Sequence, residues 1–358
     1  MRFVFKTGYE QDVALAKHDG HRLWYGALMA LLLIAPVLLE EYWLAQLSFV
    51  LIYSIVGLGL MLLAGYTGQV SIGQAAFMGV GAYAQAYFTN LGFSFPVALV
   101  IGMVLSAVAG IIVSVPALRV KGIYLGIATL AFGFIVEEGF ARWESVTGGN
   151  AGVTVKAPEM LGFKFDNDMS FYYLCLGLCI LSTLAVLNLL RAPTGRAFVA
   201  IRDSEISAQS MGINLAWYKG LAFAISAAMA GVAGALYAHK MSFITPDQFG
   251  LIQSVDLLLL VVVGGLGFVH GAFLGAIFLI TMPQLIAVGK DFLPESIGGA
   301  AGLQGVVYGV VLVFFVLFEP MGLYGRWLKI RTWFQMFPFY RQGMFKRQKS
   351  FTKSDRLK

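Results

Sequence analysis

An all-α, polytopic transmembrane bundle of about ten spans, with both termini cytoplasmic, is the fold this sequence predicts, on three observations. Of 358 residues, 59% are hydrophobic and 12% charged, with a mean hydropathy of +0.79. That leaves too few polar groups to cover a soluble globule of this size. Apolar runs near the roughly 20 residues needed to cross a bilayer core recur between short polar breaks. Lysine and arginine, finally, gather in alternate breaks, as they do when every second loop stays in the cytoplasm.

Residues 1–23 carry Arg2, Lys6, Glu10, Asp12, Lys17, Asp19 and Arg22, with no small-residue cleavage site after the first apolar run, which makes them a cytoplasmic extension and not a secretory signal. The apolar runs place spans near 24–39, 43–64, 71–89, 96–116, 122–141, 171–190, 220–239, 254–268, 270–287 and 302–319. The eighth and ninth are separated only by Gly264, Gly265, Gly267 and His270. With the N-terminus inside, the inner segments hold twenty basic residues: Arg2, Lys6, Lys17 and Arg22, then Arg119 and Lys121, then Arg191, Arg196, Arg202 and Lys219, then ten from Arg326 to Lys358. The outer segments hold five: Arg142, Lys156, Lys164, Lys240 and Lys290. One polytopic domain over 24–325 and a cytoplasmic tail over 326–358 complete the organisation. The tail mixes Trp327, Trp333, Phe334, Phe337, Phe339 and Tyr340 with basic residues, a composition suited to an anionic lipid surface. It accounts for most of the net charge of +6, so the charge calls for no nucleic-acid partner.

Cys175 and Cys179 stand four apart in an apolar run and read as core filler. Neither they nor His18, His21, His239 and His270 have metal-ligand spacing. No phosphate-binding Gly-x-x-x-x-Gly-Lys-Ser/Thr loop occurs, so ATP chemistry by that route belongs to another chain. Glu137 and Glu138 fall near the outer end of the fifth span and Asp256 opens the eighth, positions expected at the interface or in a vestibule.

Two stretches stand out. From Gly65 to Tyr83, five glycines (65, 68, 73, 79, 81) and the polar Thr67, Gln69, Ser71 and Gln74 occupy the place where a span begins. Such residues are tolerated at membrane depth where backbone lines a cavity or meets a neighbouring helix closely, and broken helices often mark a transport pathway. The four polar residues are the pathway candidates. A fainter echo runs from Gly264 to Gly275, where Ala272-Phe-Leu-Gly275 resembles Ala76-Phe-Met-Gly79, the pattern of an internal repeat or of close helix packing. The Gly-x-x-x-Gly pairs 122/126, 271/275 and 305/309 point to close helix packing. In the inner loop 191–219, apolar Phe198, Ile201, Ala208 and Met211 recur at helical spacing, Asp203, Ser204 and Glu205 lie on exposed turns, and Gly212 supplies a stop. One short amphipathic helix outside the membrane is expected there.

These motifs resemble the LivM family, the integral membrane permeases of high-affinity branched-chain amino acid ABC importers. The resemblance rests on Gly65 to Tyr83, on Lys121-Gly-Ile-Tyr-Leu-Gly-Ile-Ala-Thr-Leu-Ala-Phe132, on Thr194-Gly-Arg-Ala-Phe-Val-Ala-Ile-Arg-Asp-Ser-Glu205 with Ala208 and Gly212, and on Gly264-Gly-Leu-Gly267. It covers roughly residues 40 to 325. It implies a multi-pass subunit of the bacterial inner membrane, paired with a second, LivH-like permease, with two cytoplasmic ATPase subunits that bind ATP and Mg, and with a periplasmic solute-binding protein. No cofactor or metal is expected in this chain. The 191–219 loop would then dock on an ATPase as a coupling helix, with Gly195, Arg202, Asp203, Ser204, Glu205 and Gly212 as the coupling set. Related permeases for urea, short amides or aromatic acids share the motifs. An intramembrane enzyme would need convergent acid, base or metal groups, which the sequence does not offer; an ion channel would need a filter segment and no coupling loop.

Overall fold

The computed structural model describes residues 19–120, 122–160, 162–290, 303–319 and 321–336. The N-terminal extension through residue 18 and the tail beyond 336, both expected to be cytoplasmic, lie outside the described residues, as does Lys121 of the resemblance motif.

Each of the ten expected runs falls on a helix. In chain order these are α1 (Asp19–Leu38), α2 (Glu41–Leu60), α3 (Gln74–Asn90), α4 (Phe95–Ala117), α5 (Ile123–Arg142), then a short α6 (Glu144–Thr147) that is not a span. They continue with α7 (Asp168–Arg191), the short α8 (Pro193–Asp203) and α9 (Glu205–Ser210), α10 (Leu215–Met241), α11 (Leu251–Gly264), α12 (Val269–Lys290), α13 (Leu303–Phe318) and α14 (Gly322–Met336). Seven of the helical segments are long and apolar enough to cross a membrane: Glu41–Tyr66, Phe95–Ala117, Ile123–Arg142, Asp168–Arg191, Leu215–Met241, Pro246–Gly264 and Val269–Ala287. The expected count of ten is therefore not reached by length and composition among the described residues. The other three runs lie on α1, α3 and α13. Apolar stretches in α1 and α13 are shorter, Arg22–Leu38 and Gly305–Phe315. Helix α3 has only 17 residues, about 25 Å at 1.5 Å per residue, because the polar stretch before it is not helical.

Helices dominate because backbone groups in lipid must be satisfied within the segment. The exceptions are four two-residue strands that pair antiparallel, β1 (Val153–Thr154) with β4 (Phe243–Ile244) and β2 (Glu159–Met160) with β3 (Phe163–Lys164). They belong to the connections after α6 and α10, and the all-α expectation missed them. The opposite end of the bundle carries α8 and α9. Helix α10 is the central element, flanked by α2, α3 and α4. Glycine permits this approach: a Cβ on Gly81 would stand 2.2 Å from the Gly231 carbonyl oxygen, and one on Gly234 would stand 1.9 Å from that of Met78. Of the predicted glycine pairs, 271/275 seats α12 on α11 through Gly264 and Leu260, and Gly126 touches Ile72. Gly122, Gly305 and Gly309 face open space. Cys175 and Cys179 are buried on one face of α7.

Candidate functional site

The first glycine-rich stretch is a true helix break. Helix α2 runs into a π-helical turn over Met61–Tyr66, a distortion that often accompanies function. The Leu63 carbonyl then accepts both the Thr67 hydroxyl and the Gln69 backbone N–H, the latter at 3.1 Å. This i−6 bond leaves the Gly65 carbonyl, the ordinary partner of Gln69 in an α-helix, available to another group. Thr67, Gln69, Ser71 and Gln74 are all buried within the subunit. The Gln69 amide donates to Thr67 at 3.2 Å, and that of Gln74 donates to the Ser226 hydroxyl and carbonyl at 3.0 and 3.2 Å. The N–H groups of the broken segment find partners on other helices: Ile72 donates to Thr129 Oγ1 at 2.9 Å and Ala75 to Ser254 Oγ at 3.3 Å. Thr129, Ser226 and Ser254 are each buried; Thr129 lies within the 121–132 motif, which assigns it no role, and Ser226 and Ser254 fall in no motif. Their only sequence signal is a small hydroxyl in an apolar run.

Thr129 can be tested alone. Thr129→Val keeps the shape and leaves the Ile72 N–H buried without an acceptor, which should cost about 1–3 kcal/mol. We expect a lower unfolding midpoint in detergent, whereas Thr129→Ser should keep the wild-type value.

The second glycine-rich stretch, between α11 and α12, lies directly against the first. Gly265 and Gly267 take φ of +117° and +84°, a region open to glycine at little cost. The Gly267 N–H points at Met61 Sδ, 3.0 Å away, and a Cβ on Gly65 would fall 2.5 Å from the Gly267 nitrogen. The two stretches that sequence pattern alone paired as an echo thus meet at one point of the fold.

That point is covered by the loop 191–219. The single amphipathic helix expected there is two helices, because Ser204 adopts an extended conformation (φ −162°, ψ 114°) and caps α9, its Oγ accepting from Ser207 N at 3.3 Å. An N-cap serine turns the chain and starts a new helix. Phe198, Ile201 and Ala208 are buried as the spacing predicts, and Ala197 with them, but Met211 is 81% exposed. Gly195 is buried at the α7–α8 turn, where a Cβ would stand 2.3 Å from the Leu190 carbonyl oxygen. Gly212 has φ +83°, and the bond from Ile213 N to Ala208 O, 3.1 Å, closes α9 as a left-handed glycine cap does. Asp203 is exposed as expected, whereas Glu205 is not free on a turn: its carboxylate pairs at 2.6 Å with Lys219, whose side chain is 4% exposed. Ile206, Met211 and Trp217 stand exposed beside a cleft of about 540 Å³ walled by Leu118, Glu205, Gln209 and Lys219.

Arg202 joins the loop to the breaks. Its Nη1 donates to the Gly65 carbonyl at 3.2 Å, and its Nε and Nη2 donate to Asp203 Oδ1 at 3.2 and 3.1 Å. At the far end, Glu137, Glu138 and Arg142 line a second cleft of about 580 Å³ with Asn150 and Asp247, and Arg142 pairs with Glu138. Asp256 sits half-buried in the second turn of α11, not at its opening.

The family model for the permease component of branched-chain amino acid transport systems matches residues 42–316. The chain is 32% identical over 324 residues to the LivM high-affinity branched-chain amino acid transport permease of Salmonella typhimurium, covering 83% of this chain and 74% of that protein. The LivM permease of Escherichia coli is 31% identical, with 84% and 74% covered. The autoinducer 2 import permease LsrC of Salmonella typhimurium is more distant, 26% identical with 73% and 78% covered. No solved structure matches the chain.

Proposed function

The chain belongs to the family of branched-chain amino acid transport permeases, and from that premise we propose that it forms one half of the membrane pathway of an ATP-driven importer for leucine, isoleucine and valine. In this reading it crosses the bacterial inner membrane about ten times with both termini in the cytoplasm, and the end bearing α8 and α9 faces inward. The start of α1 and the end of α13 support that orientation. Tyr25 bonds to His270 at 2.8 Å, Tyr324 stacks on the same imidazole, and a Cβ on Gly322 would meet Gly265. Both therefore reach the α8 end. The basic, aromatic composition from residue 326 onward suits contact with the anionic leaflet.

A LivH-like permease completes the pathway, a periplasmic binding protein delivers solute, and two ATPase subunits bind ATP and Mg. This chain makes no covalent chemistry. The observation that carries the reading is the α8–α9 elbow: an exposed apolar surface of Ile206 and Met211, continued by Trp217 at the start of α10, beside Asp203, Ser204 and Glu205, and tied to α10 by the Glu205–Lys219 pair. Exposed apolar groups rimmed by charge suit a protein partner. Gly195 and Gly212 set the two ends of that surface. Thr67, Gln69, Ser71 and Gln74 shape the pathway from within by holding the break next to it.

Cells stripped of their own branched-chain amino acid uptake test the reading. Supplied with this chain and its partner subunits, they should accumulate labelled leucine, and omission of this chain should abolish the gain. Accumulation of urea, a short amide or an aromatic acid instead would overturn the solute assignment.

A further inference from the structure

We propose that Arg202 is a mechanical strut that carries movement of the α8–α9 elbow into the junction of the two helix breaks; this rests on the importer reading above. Three features support it. First, the π-helical turn withdraws the Gln69 N–H to Leu63 and leaves the Gly65 carbonyl to Arg202. Second, the junction is rigid. Gly65 and Gly267 touch backbone to backbone, the Gly267 N–H is held by Met61, and a Cβ on Gly267 would stand 3.7 Å from Arg202 Nη1. Third, Asp203 Oδ1 accepts from both Nε and Nη2, a contact that biases the planar guanidinium toward the orientation that leaves Nη1 on Gly65.

The consequence is a short path for force. A push on the elbow travels through Arg202 to the point where the π-helical end of α2 meets the turn between α11 and α12. The glycines there have no side chains to cushion the movement, so the two breaks shift together. The Glu205–Lys219 pair would hold the other side of the elbow to α10, making Arg202 the lever arm and Lys219 its fulcrum.

The readout is the number of ATP molecules hydrolysed per leucine imported by the whole complex in proteoliposomes. Arg202→Gln should raise that ratio by at least about tenfold, the size of an ordinary coupling free energy. Arg202→Lys, which can still donate one bond to Gly65, should give an intermediate ratio. Geometry offers a covalent replacement for the strut: a Cβ on Gly68 would lie 3.7 Å from Arg202 Cβ, close to the spacing a disulfide needs, and Gly68→Cys alone controls for the strain of a side chain at φ +70°. The Gly68→Cys, Arg202→Cys pair should be poorly coupled when reduced and regain coupling when copper phenanthroline and oxygen close the bridge.

If closing the bridge stops residual uptake, the elbow and the break must separate during transport and the strut is wrong. If Arg202→Gln lowers hydrolysis and uptake in step, with the ratio unchanged, Arg202 merely builds the loop and the strut is wrong again. Absence of any ATP-driven uptake of leucine, isoleucine or valine by the wild-type complex removes the importer reading and the strut with it. Wild-type uptake without rescue by the bridge removes the strut alone.

Discussion

Gly234→Leu should remove the folded chain from the membrane, with yield falling at least about tenfold. The position has no room: a Cβ would lie 1.9 Å from the Met78 carbonyl oxygen, 2.8 Å from its carbon and 3.1 Å from the Ala82 nitrogen. All three are backbone atoms of α3, so no side chain can rotate away. Extra carbons in a packed interior commonly cost about 1–3 kcal/mol through displaced neighbours. Here whole helices must part, against a total stability of order 5–15 kcal/mol. The matched control is Gly177→Leu on α7, where a Cβ meets nothing within 4 Å; it should accumulate as well as wild type. Fluorescence-detected size exclusion of tagged protein would compare them, and equal monodisperse yields for the two variants would refute the packing of α3 on α10.

Glu205→Lys should leave insertion intact and reduce uptake by at least about a hundredfold. The variant puts a second ammonium against Lys219, whose Nζ lies 2.6 Å from Glu205 and whose side chain is 4% exposed. Breaking a fully buried ion pair from one side costs roughly 3–5 kcal/mol; this pair, with Glu205 22% exposed on a cleft wall, keeps part of that cost, and each 1.36 kcal/mol is about a factor of ten. The cost falls on a surface elbow of six and eleven residues, not on the spans, so the elbow should detach while the bundle stands. The swapped pair Glu205→Lys, Lys219→Glu restores opposite charges and should recover part of the lost uptake. Recovery shows that the pair acts by seating the elbow. If the single variant transports normally, the elbow has no part in transport.

The sequence made the helices legible because lipid imposes one simple rule, and ten apolar runs landed on ten helices. It made the break at 65–73 legible too, since glycine and polar residues at membrane depth have few other uses. Ser204 was readable in retrospect: a serine followed by Glu205 is an N-cap signal, but the apolar spacing from Phe198 to Met211 favoured one continuous helix and hid it. Met211 was assigned to the buried face by that same continuous spacing. The links across the fold left no trace in one sequence. Lys219 looks like an ordinary loop cation, Thr129 like a tolerated hydroxyl in a span, and the bond from Arg202 to Gly65 joins residues 137 positions apart. Such pairings arise only when helices pack. The short strands escaped for a different reason: two-residue pairs such as Val153–Thr154 with Phe243–Ile244 are too brief to show an alternating pattern.

The most direct test of the importer account is labelled leucine uptake by proteoliposomes holding the purified complex, with the loaded binding protein outside and ATP and Mg sealed inside. The account predicts concentrative uptake that requires both ATP and the binding protein and is absent when a non-hydrolysable analogue replaces ATP. Leucine flux of equal size without nucleotide would contradict it and make the chain part of a passive pore.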